Sequence, residues 1–538
     1  MAPNRRTPSG LGRRDFLAAA GASLAAPAVL SPGAARAQGT PRRGGTLNMI
    51  LNPEPPVLVI GVNNQGPTLA AASKIYEGLL TYDFQLRPQP GLAKSWSVSP
   101  DGTLYTFNLQ ENVKWHDGRP FTADDVVFSI TKFHMELSPR SRAIFQRITE
   151  VAAPNPSTVT IKIREPFEPF ILMFDVTATA IVPKHLYDGT DYRNNPANAT
   201  PIGTGPFKFN EWRRGNYIRF TRNPDYWKPG QPYLDDIYYR IIPDSASRGL
   251  ALQSGQVQLT QSNDIEPFDV PRFQQMPNLA IETKGWEYYG PLSWIEVNHR
   301  VQPLGDVRFR RALSMAIDRN FILQRLWFGV GKVATGAISS ATRFHDPNVR
   351  LDAYNPREAA QLLDAMGLRP DAQGVRARLR FLHLPYGEVW TRLGEYLRQA
   401  FAQIGVQLTM ESVDAGAWAR RLADWDYDLS INFVYQWGDP TLGVERTYVS
   451  SNIQRVTFTN TGGYSNPQVD ALFERGRTSA RTEDRQAAFS ELQRLLVAEI
   501  PQIWLLELSF PTIYDRRYRN VVTGGTGVQG SFDDVYIG

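Results

Sequence analysis

Few side chains in this sequence are of the types that carry catalysis or bind metals, and those few are widely spaced. The histidines show neither the i, i+4 pairing of a metalloprotease helix nor an acidic partner at that spacing; they stand at positions 116, 134, 185, 299, 345 and 383. Cysteine is absent, which removes thiol nucleophiles, disulfides and cysteine metal sites. Neither a Gly-x-Ser-x-Gly elbow nor a phosphate-binding loop occurs. We therefore predict no catalytic residue, no metal site and no cofactor, and enzyme activity is an alternative without a supporting motif.

Asp124 and Asp125 are adjacent carboxylates, the arrangement nearest to a general acid/base pair. They follow Thr122 and precede an apolar run, so they fall in the first turn of a predicted helix. Consecutive helical side chains point about 100° apart and do not converge on one substrate atom. Thr122 with Asp125 three residues later matches a capping box instead. The pair is therefore predicted to cap a helix.

Aromatic residues are the positive sign of a binding surface. The chain has 12 Trp and 22 Tyr, whose flat faces and polar ends suit contact with a small polar ligand. Two segments that contain such residues directly follow predicted strands, where a cleft is expected. The candidate contacts are Tyr386 in the first segment and Phe433, Tyr435, Gln436, Trp437 and Asp439 in the second.

The elements that must position these residues include a strand-helix-strand unit at residues 379–410. Residues 379–384 are extended, apolar residues recur at helical spacing over 389–404, and residues 406–410 alternate as a second strand. Such a unit implies parallel strands covered by helices, and hence an α/β fold. Because ligands bind beyond the carboxyl ends of parallel strands, the loop 385–387 is a candidate binding loop.

Two further helices are predicted from apolar stripes. Asp306 caps the first, whose stripe runs from Phe309 to Phe321 before Gly329 stops the helix. The second carries its stripe over residues 489–500 and ends at a proline. Both stripes are predicted to face the core.

The first 37 residues read as an export signal. Their features are a basic region (Arg5, Arg6, Arg13, Arg14), an uncharged Ala- and Leu-rich stretch (16–30) and a cleavage site after Ala35-Arg36-Ala37. The string Arg13-Arg14-Asp15-Phe16-Leu17 resembles a twin-arginine signal, and an ordinary unfolded-export signal is the alternative. We expect the mature protein to begin near Gln38.

Charge and cysteine content bear on location and partners. The leader carries five Arg and one Asp, so the formal charge of +5 falls to +1 after cleavage. A nearly neutral mature protein gives no electrostatic reason to propose nucleic acid or an anionic membrane as a partner. Without cysteine, no lipid anchor can be attached at the mature N-terminus. We expect a freely diffusing, monomeric periplasmic protein from a bacterium with two membranes.

A series of ordered motifs resembles one family, the extracellular solute-binding proteins of the oligopeptide, dipeptide and nickel importers, called family 5. The match runs from about Gly44 to the C-terminus, and its longest run spans residues 113–126. The other matching segments are 76–80, 92–96, 101–107, 203–207, 223–227, 306–313 and 316–319. Turn sequences such as Asp117-Gly118 dominate these motifs, so they identify the scaffold and not the ligand.

The resemblance implies a periplasmic-binding-protein fold: two α/β lobes built from three domains, with the ligand cleft between the lobes. A chain of 538 residues is long enough for several cores, because one core stops growing at about 250–300 residues. Domain I would comprise 44–76, 203–290 and 506–538. Domain II, 77–202, would be inserted into it, and domain III, 291–505, would form the opposing lobe.

The resemblance also implies where ligand contacts lie. Asn63, Asn64 and Gln65 resemble the family's ligand-facing loop, and Trp286, Tyr288 and Tyr289 lie near the predicted crossing between lobes. In the dipeptide-binding branch, an Arg holds the ligand carboxylate and an Asp holds its amino group. Those positions fall on Leu384 and Gln436 here. Because burying an unpaired charge is costly, unmodified dipeptides are expected to bind poorly.

The function implied is that of the substrate-binding component of an ABC importer, which delivers a small polar organic solute to a membrane permease. A peptide, an opine-like compound, a glycoside or a metal chelate of the nickel type would each fit. A sensory protein that reports its ligand to a receptor is an alternative on the same fold.

Overall fold

The computed structural model describes residues 41–479 and 481–538, which are organised around three β-sheets. The predicted export signal lies outside the described residues. In this part of the chain, no helix combines the length and the apolar character needed to cross a bilayer.

The largest sheet has seven strands and combines parallel and antiparallel pairing. Its centre is a parallel pair, Thr46–Ile50 with Asp236–Arg240, in which Thr46 lies opposite Asp236. The strand order across the sheet is Leu279–Glu282, Thr512–Asp515, Leu259–Thr260, Thr46–Ile50, Asp236–Arg240, Tyr217–Arg222, Phe207–Arg213. Strands that are distant in the sequence, including the first and almost the last, therefore share one sheet.

A four-stranded antiparallel sheet is formed by consecutive stretches of the chain. Its order is Ala93–Val98, Leu104–Leu109, Thr158–Ile163, Ile148–Asn155. The inner strands alternate buried and more exposed residues, the pattern of a sheet with one face on a core. Two short ribbons pair Leu80–Tyr82 with Pro88–Pro90 and Tyr518–Arg519 with Tyr536–Ile537.

The six-stranded sheet holds the predicted strand-helix-strand unit. Its order is Lys332–Val333, Ile503–Glu507, Leu292–Val297, Leu429–Val434, Ala377–Leu382, Val406–Glu411. Ala377–Leu382 pairs in parallel with Val406–Glu411, and helix Glu388–Ala402 connects the two. The prediction for this unit is confirmed. The central strand Leu292–Val297 is buried at all six positions, as expected for a strand covered on both faces.

Helices cover these sheets. The α-helices are Gly66–Ala72, Ala123–Phe128, His134–Leu137, Pro139–Phe145, Lys184–Tyr187, Ser245–Gln253, Val270–Gln274, Val307–Met315, Arg319–Phe321, Pro356–Ala365, Glu388–Ala402, Ala415–Asp424, Pro440–Gly443, Pro467–Thr478 and Thr482–Glu499. Short 3-10 helices are Glu168–Phe174, Pro196–Asn198, Ser262–Asp264, Pro267–Asp269, Glu445–Thr447, Ser450–Asn452 and Gly527–Gln529, and π-helical turns are Ser129–Phe133 and Ile322–Leu326.

The helix ends show which local predictions were right. Asp125 Oδ2 accepts a hydrogen bond from the Thr122 backbone N at 3.0 Å, so the predicted capping role of Asp125 is confirmed. The single helix expected from Asp306 to Gly329 is wrong, because Asp318 caps a second helix at the Phe321 backbone N. The break turns Phe321 outward, where it is 43% exposed instead of facing the core.

Two segments of chain cross between the seven-stranded and six-stranded sheets. The first, 283–291, joins strand Leu279–Glu282 to Leu292–Val297, and the second, 508–511, joins Ile503–Glu507 to Thr512–Asp515. The backbone N of Leu508 donates to the Pro291 carbonyl at 2.9 Å, so the two crossings lie side by side. The three-domain boundaries proposed from the sequence stay a prediction.

Candidate functional site

A cavity lies beside the two crossings, with walls from both large sheets. Its volume is about 450 Å³, including the part that opens to solvent. One wall comes from residues 263–270, which follow strand Leu259–Thr260, and the facing wall comes from residues 386–390, which follow strand Ala377–Leu382. Residues 509–511 of the second crossing complete the lining. The lining combines aromatic side chains with one carboxylate, Glu266, which makes this cavity the candidate site.

The predicted binding loop 385–387 forms part of this cavity. Gly387 has φ +120°, a backbone conformation that L side chains rarely adopt, and helix Glu388–Ala402 begins at the next residue. The sharp turn from strand to helix leaves Tyr386 39% exposed on the cavity wall. The position of Tyr386 therefore follows from the conformational freedom of the glycine beside it.

Seven aromatic residues form one continuous cluster next to the cavity, which we call the aromatic cluster. Its members are Trp286, Tyr288, Tyr289, Tyr386, Phe433, Tyr435 and Trp437. The ring centroids of consecutive pairs lie 5.3–6.2 Å apart along a path from Tyr386 through Phe433 and Tyr435 to Trp437, with the three residues of the first crossing packed against Tyr435 and Trp437. All seven are residues that the sequence singled out as candidate contacts.

Strand periodicity and one backbone hydrogen bond explain the cluster. Phe433 lies in strand Leu429–Val434, and Tyr435 continues its two-residue alternation beyond the strand, so these two side chains share one face. Trp437 has φ +56°, a turn conformation that brings its ring 5.6 Å from that of Tyr435. The Gln436 backbone N donates to the Tyr289 carbonyl at 2.5 Å. This bond holds the end of the strand against the first crossing.

The members of the cluster differ in how much surface they offer. Tyr386, Phe433 and Tyr435 are exposed or half-buried. The polar atoms of the crossing residues are already bonded: Trp286 Nε1 to the Phe510 carbonyl at 2.7 Å, Tyr288 Oη to the Leu172 carbonyl at 2.7 Å, and Tyr289 Oη to Gln529 at 2.6 Å. The crossing residues are therefore bonded within the protein, and Tyr386, Phe433 and Tyr435 keep partly exposed ring faces.

Sequence reasoning missed several residues at the same place. Trp390 stacks on Phe433 with centroids 5.4 Å apart and 6° between ring planes, and Phe510 packs on Trp286 at 4.9 Å. Glu266 and Trp327 also line the cavity. Trp390 lies in the first turn of the helix that follows the predicted binding loop, and this position was an available signal. Phe510 and Glu266 lie outside any periodic pattern.

Glu266 is the carboxylate on the cavity wall opposite Tyr386. It is half-buried, and burial raises the pKa of its carboxyl, with the neighbouring charge of Glu388 adding to the effect. The N-terminal end of helix Glu388–Ala402 lies beside it, because a Cβ on Gly387 would be 3.4 Å from Glu266 Oε1. Glu266 thus contacts the start of this helix and joins the two walls of the cavity.

Gln436 has a structural role. Its side chain is 1% exposed. Its Oε1 accepts from the Ser339 backbone N and from Thr342 Oγ1, both at 2.9 Å, and its Nε2 donates to the Ala337 carbonyl at 2.8 Å. The strand alternation that places Phe433 and Tyr435 on one face points residue 436 to the other face. Its amide is therefore occupied by the 337–342 loop.

Asp439 is fully buried in an ion pair. Both of its carboxylate oxygens accept from Arg485 Nη2, at 2.8 and 2.9 Å, and one of them also accepts from the Thr441 backbone N at 3.0 Å. Burial raises the pKa of this carboxyl, and the charge of Arg485 opposes that rise. Asp439 thus starts helix Pro440–Gly443 and anchors Arg485, so both of its carboxylate oxygens are occupied within the protein.

The loop 63–65 uses its amides locally. Asn64 Oδ1 accepts from the Gly61 backbone N at 3.0 Å, and Asn63 Oδ1 accepts from the Gln65 backbone N at 3.0 Å and Thr68 Oγ1 at 2.8 Å. Gln65 is exposed. Within residues 41–479 and 481–538, no hydrogen bond or ring contact joins this loop to the aromatic cluster.

Three of the six described histidines, at positions 116, 134 and 299, bond to backbone carbonyl oxygens. His134 Nε2 lies 2.8 Å from the Ala180 carbonyl oxygen, and burial lowers its pKa to about 4. Across the described residues, no three His, Cys, Asp or Glu side chains are grouped so as to hold a metal ion. The site's chemistry is that of aromatic surfaces and a few charges.

An aromatic-lined cavity between two α/β sheets joined by two crossings defines a ligand-binding protein of the two-lobed class. Residues 87–454 match the family described as bacterial extracellular solute-binding proteins, family 5, middle. The chain belongs to this family.

Individual relatives and solved structures are also similar to this chain. The di/tripeptide-binding protein 2 of Pseudomonas aeruginosa is 27% identical over 460 residues, which cover 80% of this chain and 83% of that protein. The ABC transporter substrate-binding protein CtaP of Listeria monocytogenes has a similar structure, with a TM-score of 0.80, 25% identity and coverage of 92% of this chain and 100% of CtaP. The oligopeptide-binding protein AppA of Bacillus subtilis, solved with a nonapeptide, has the same fold, with a TM-score of 0.79, 22% identity and coverage of 93% and 100%.

Proposed function

We propose that this protein captures a peptide-like or other small polar organic solute in the cavity beside the aromatic cluster and delivers it to an ABC importer. The observation that carries the proposal is the cluster itself. Seven aromatic side chains from three separate segments form one cluster, Tyr386 of this cluster lines the cavity, and Phe433 and Tyr435 are also partly exposed. Flat rings hold a ligand backbone without demanding particular side chains.

The family and its relatives support a transport role. The relatives named above are a di/tripeptide-binding protein and an ABC transporter substrate-binding protein. By analogy, the partner of this chain is a permease at the inner membrane, and the protein binds its ligand without transforming it. We place it in the periplasm as a monomer that is not lipid-anchored, with the Arg-rich leader removed near Gln38.

The proposal includes closure of the two lobes on the ligand. Glu168 lies in the stretch 77–202, and it pairs with Arg343 at 2.6 Å and with Arg485, both in the stretch 291–505. Ion pairs that cross the cleft in this way hold the lobes together once the ligand has excluded water. Small-angle scattering should give a smaller radius of gyration with ligand than without it.

The test begins with the ligand that the protein retains. The mature protein is purified from its native host or a related one, denatured, and the released small molecules are identified by mass spectrometry. The identified compound is then titrated calorimetrically into the wild type and into Tyr386→Ala. Tyr354→Ala is the matched control, because Tyr354 is a similarly exposed tyrosine (47% against 39%) outside the cluster.

Removal of the Tyr386 ring should weaken binding by about tenfold, the effect of losing one aromatic contact with a ligand. The control variant should bind like the wild type. Equal affinity of all three proteins, or conversion of the compound into a product during incubation, would contradict the proposal.

A further inference from the structure

Arg140 reaches the aromatic cluster from a different part of the chain. It lies in helix Pro139–Phe145, and its guanidinium carbon is 3.5 Å from the centroid of the Trp437 ring. Its Nη2 donates to Tyr288 Oη at 3.2 Å. Its Nε is buried and has no hydrogen-bond partner among the described residues. The Arg140 guanidinium therefore stacks on the aromatic cluster and keeps N–H donors that no described residue accepts.

Arg446 approaches the same end of the cluster from the opposite lobe. Its Nε donates to the Gly443 carbonyl at 3.2 Å and its Nη2 to the Tyr435 carbonyl at 3.4 Å. Burial, together with the neighbouring charge of Arg140, lowers the pKa of Arg446 to about 10. The two positive charges therefore repel each other beside Tyr435 and Trp437.

Neither arginine has an acidic partner. Among the described residues, no carboxylate oxygen lies within 4.0 Å of either guanidinium, whereas Arg485 is paired with Asp439 and Glu168. Asp175 interacts with Arg140 only at longer range, and its Oδ1 is bonded to the backbone N and Oγ1 of Thr177. Two like charges in a partly buried place are unfavourable, and an anion between them would relieve that repulsion.

Other buried arginines of this protein show what a purely structural role looks like. Arg310 donates to four backbone carbonyls, at 2.7–2.9 Å, and so uses nearly all of its donors. Arg140 makes one hydrogen bond and Arg446 makes two long ones. The Nε1 of Trp437, beneath Arg140, is also buried without a described partner. Arg140, Arg446 and Trp437 Nε1 therefore have N–H donors at one end of the aromatic cluster that are available to a hydrogen-bond acceptor.

We propose that Arg140 and Arg446, with Trp437 Nε1, form an anion subsite that binds a carboxylate of the ligand. The inference rests on the proposed function and narrows its ligand to compounds with a free carboxylate, such as a peptide C-terminus or the acid group of an opine. A planar carboxylate matches the paired donors of a guanidinium. On this proposal Arg140 and Arg446 supply the charge partner that is missing at Leu384, and the expectation that unmodified dipeptides bind poorly stays a prediction that the same titrations test.

The test uses matched pairs of compounds. We titrate ligand-free protein calorimetrically with alanine and leucine di-, tri- and tetrapeptides and with the C-terminal amides of these peptides. Any carboxylic acid that is released from the purified protein is titrated in the same way, beside the amide of that acid. Variants are Arg140→Gln, Arg446→Gln and Arg140→Lys. Arg142→Gln is the matched control, because Arg142 lies in the same helix and bonds only to the carbonyls of Met135 and Glu136. Circular dichroism verifies that each variant is folded.

We expect the free acids to bind about 10- to 100-fold more tightly than their amides, the effect of a hydrogen bond to a charged group. Arg140→Gln and Arg446→Gln should each remove most of this preference, Arg140→Lys should keep part of it, and Arg142→Gln should keep all of it. Binding that does not distinguish acid from amide, or a preference that survives both Gln variants, would overturn the subsite and leave the proposed function intact. If nothing binds and nothing is released from the purified protein, the proposed function fails as well.

Discussion

Replacing Arg485 by Met should destabilise the protein strongly, because it leaves a buried carboxylate without its cation. Asp439 is 0% exposed and Arg485 is 1% exposed. The substitution removes both Arg485 bonds to Asp439 and the contact of Arg485 with Glu168, while Met fills a similar volume. The remaining partners of the carboxylate, the backbone N and Oγ1 of Thr441, are neutral.

The magnitude follows from the burial of the pair. Loss of one partner of a buried ion pair costs about 3–5 kcal/mol, since the remaining charge has no compensation. Asp439→Asn in the same background removes that charge, so the double variant should recover at least about 1 kcal/mol relative to the sum of the two single losses. The pKa of Asp439 is already raised by burial, and without Arg485 it should rise further. The loss in Arg485→Met should therefore shrink as the pH falls and Asp439 takes up a proton.

The assay is urea unfolding of the wild type, both single variants and the double variant, followed by tryptophan fluorescence at neutral and at acidic pH. A loss below about 1 kcal/mol in Arg485→Met would refute the reasoning. Strict additivity of the two single variants would do so as well, because it would show that the two side chains do not interact.

Two further variants test buried groups elsewhere in the protein. Burial raises the pKa of Glu77 from 4.5 to about 7. Between these pH values the folded state keeps a proton that the unfolded state has lost, so the free energy of unfolding falls as the pH rises from 4.5 to 7. Glu77→Gln does not ionise, and its unfolding free energy relative to the wild type should rise by up to about 3 kcal/mol from pH 4.5 to pH 8 in urea titrations; a pH-independent difference would contradict this. Gln436→Ala leaves the backbone N of Ser339 and the hydroxyl of Thr342 without an acceptor and should cost about 2–4 kcal/mol of stability while ligand affinity stays within about twofold. A large loss of affinity in the folded variant would instead place Gln436 at the ligand.

Local pattern was enough to predict much of the scaffold and most of the aromatic candidates. The strand-helix-strand unit at 377–411 follows from its periodicity, since alternation and helical spacing are properties of short stretches of chain. The same logic located the segments that carry Tyr386 and Phe433. It failed at Asp318, whose capping hydrogen bond divides an apparently continuous helix.

The direction and the partners of side chains at the site were decided by the tertiary structure. Gln436 and Asp439 stand among the aromatic residues of the cluster in the sequence, yet one bonds to the 337–342 loop and the other to Arg485. Two-residue alternation separates residue 436 from 433 and 435, but only the packed sheet shows which face meets the cavity.

The sequence by itself determined the family scaffold, through ordered turn motifs, and the aromatic character of the binding segments, through composition and strand periodicity. It did not reveal the charges beside the aromatic cluster. Arg140 comes from the part of the chain that contains the four-stranded sheet, and Trp437 and Arg446 follow a strand of the six-stranded sheet. No local pattern links such distant residues, because their proximity is produced by the crossing segments and the packing of one lobe against the other. Whether a charge is paired, solvated or left free for a ligand depends on those long-range contacts.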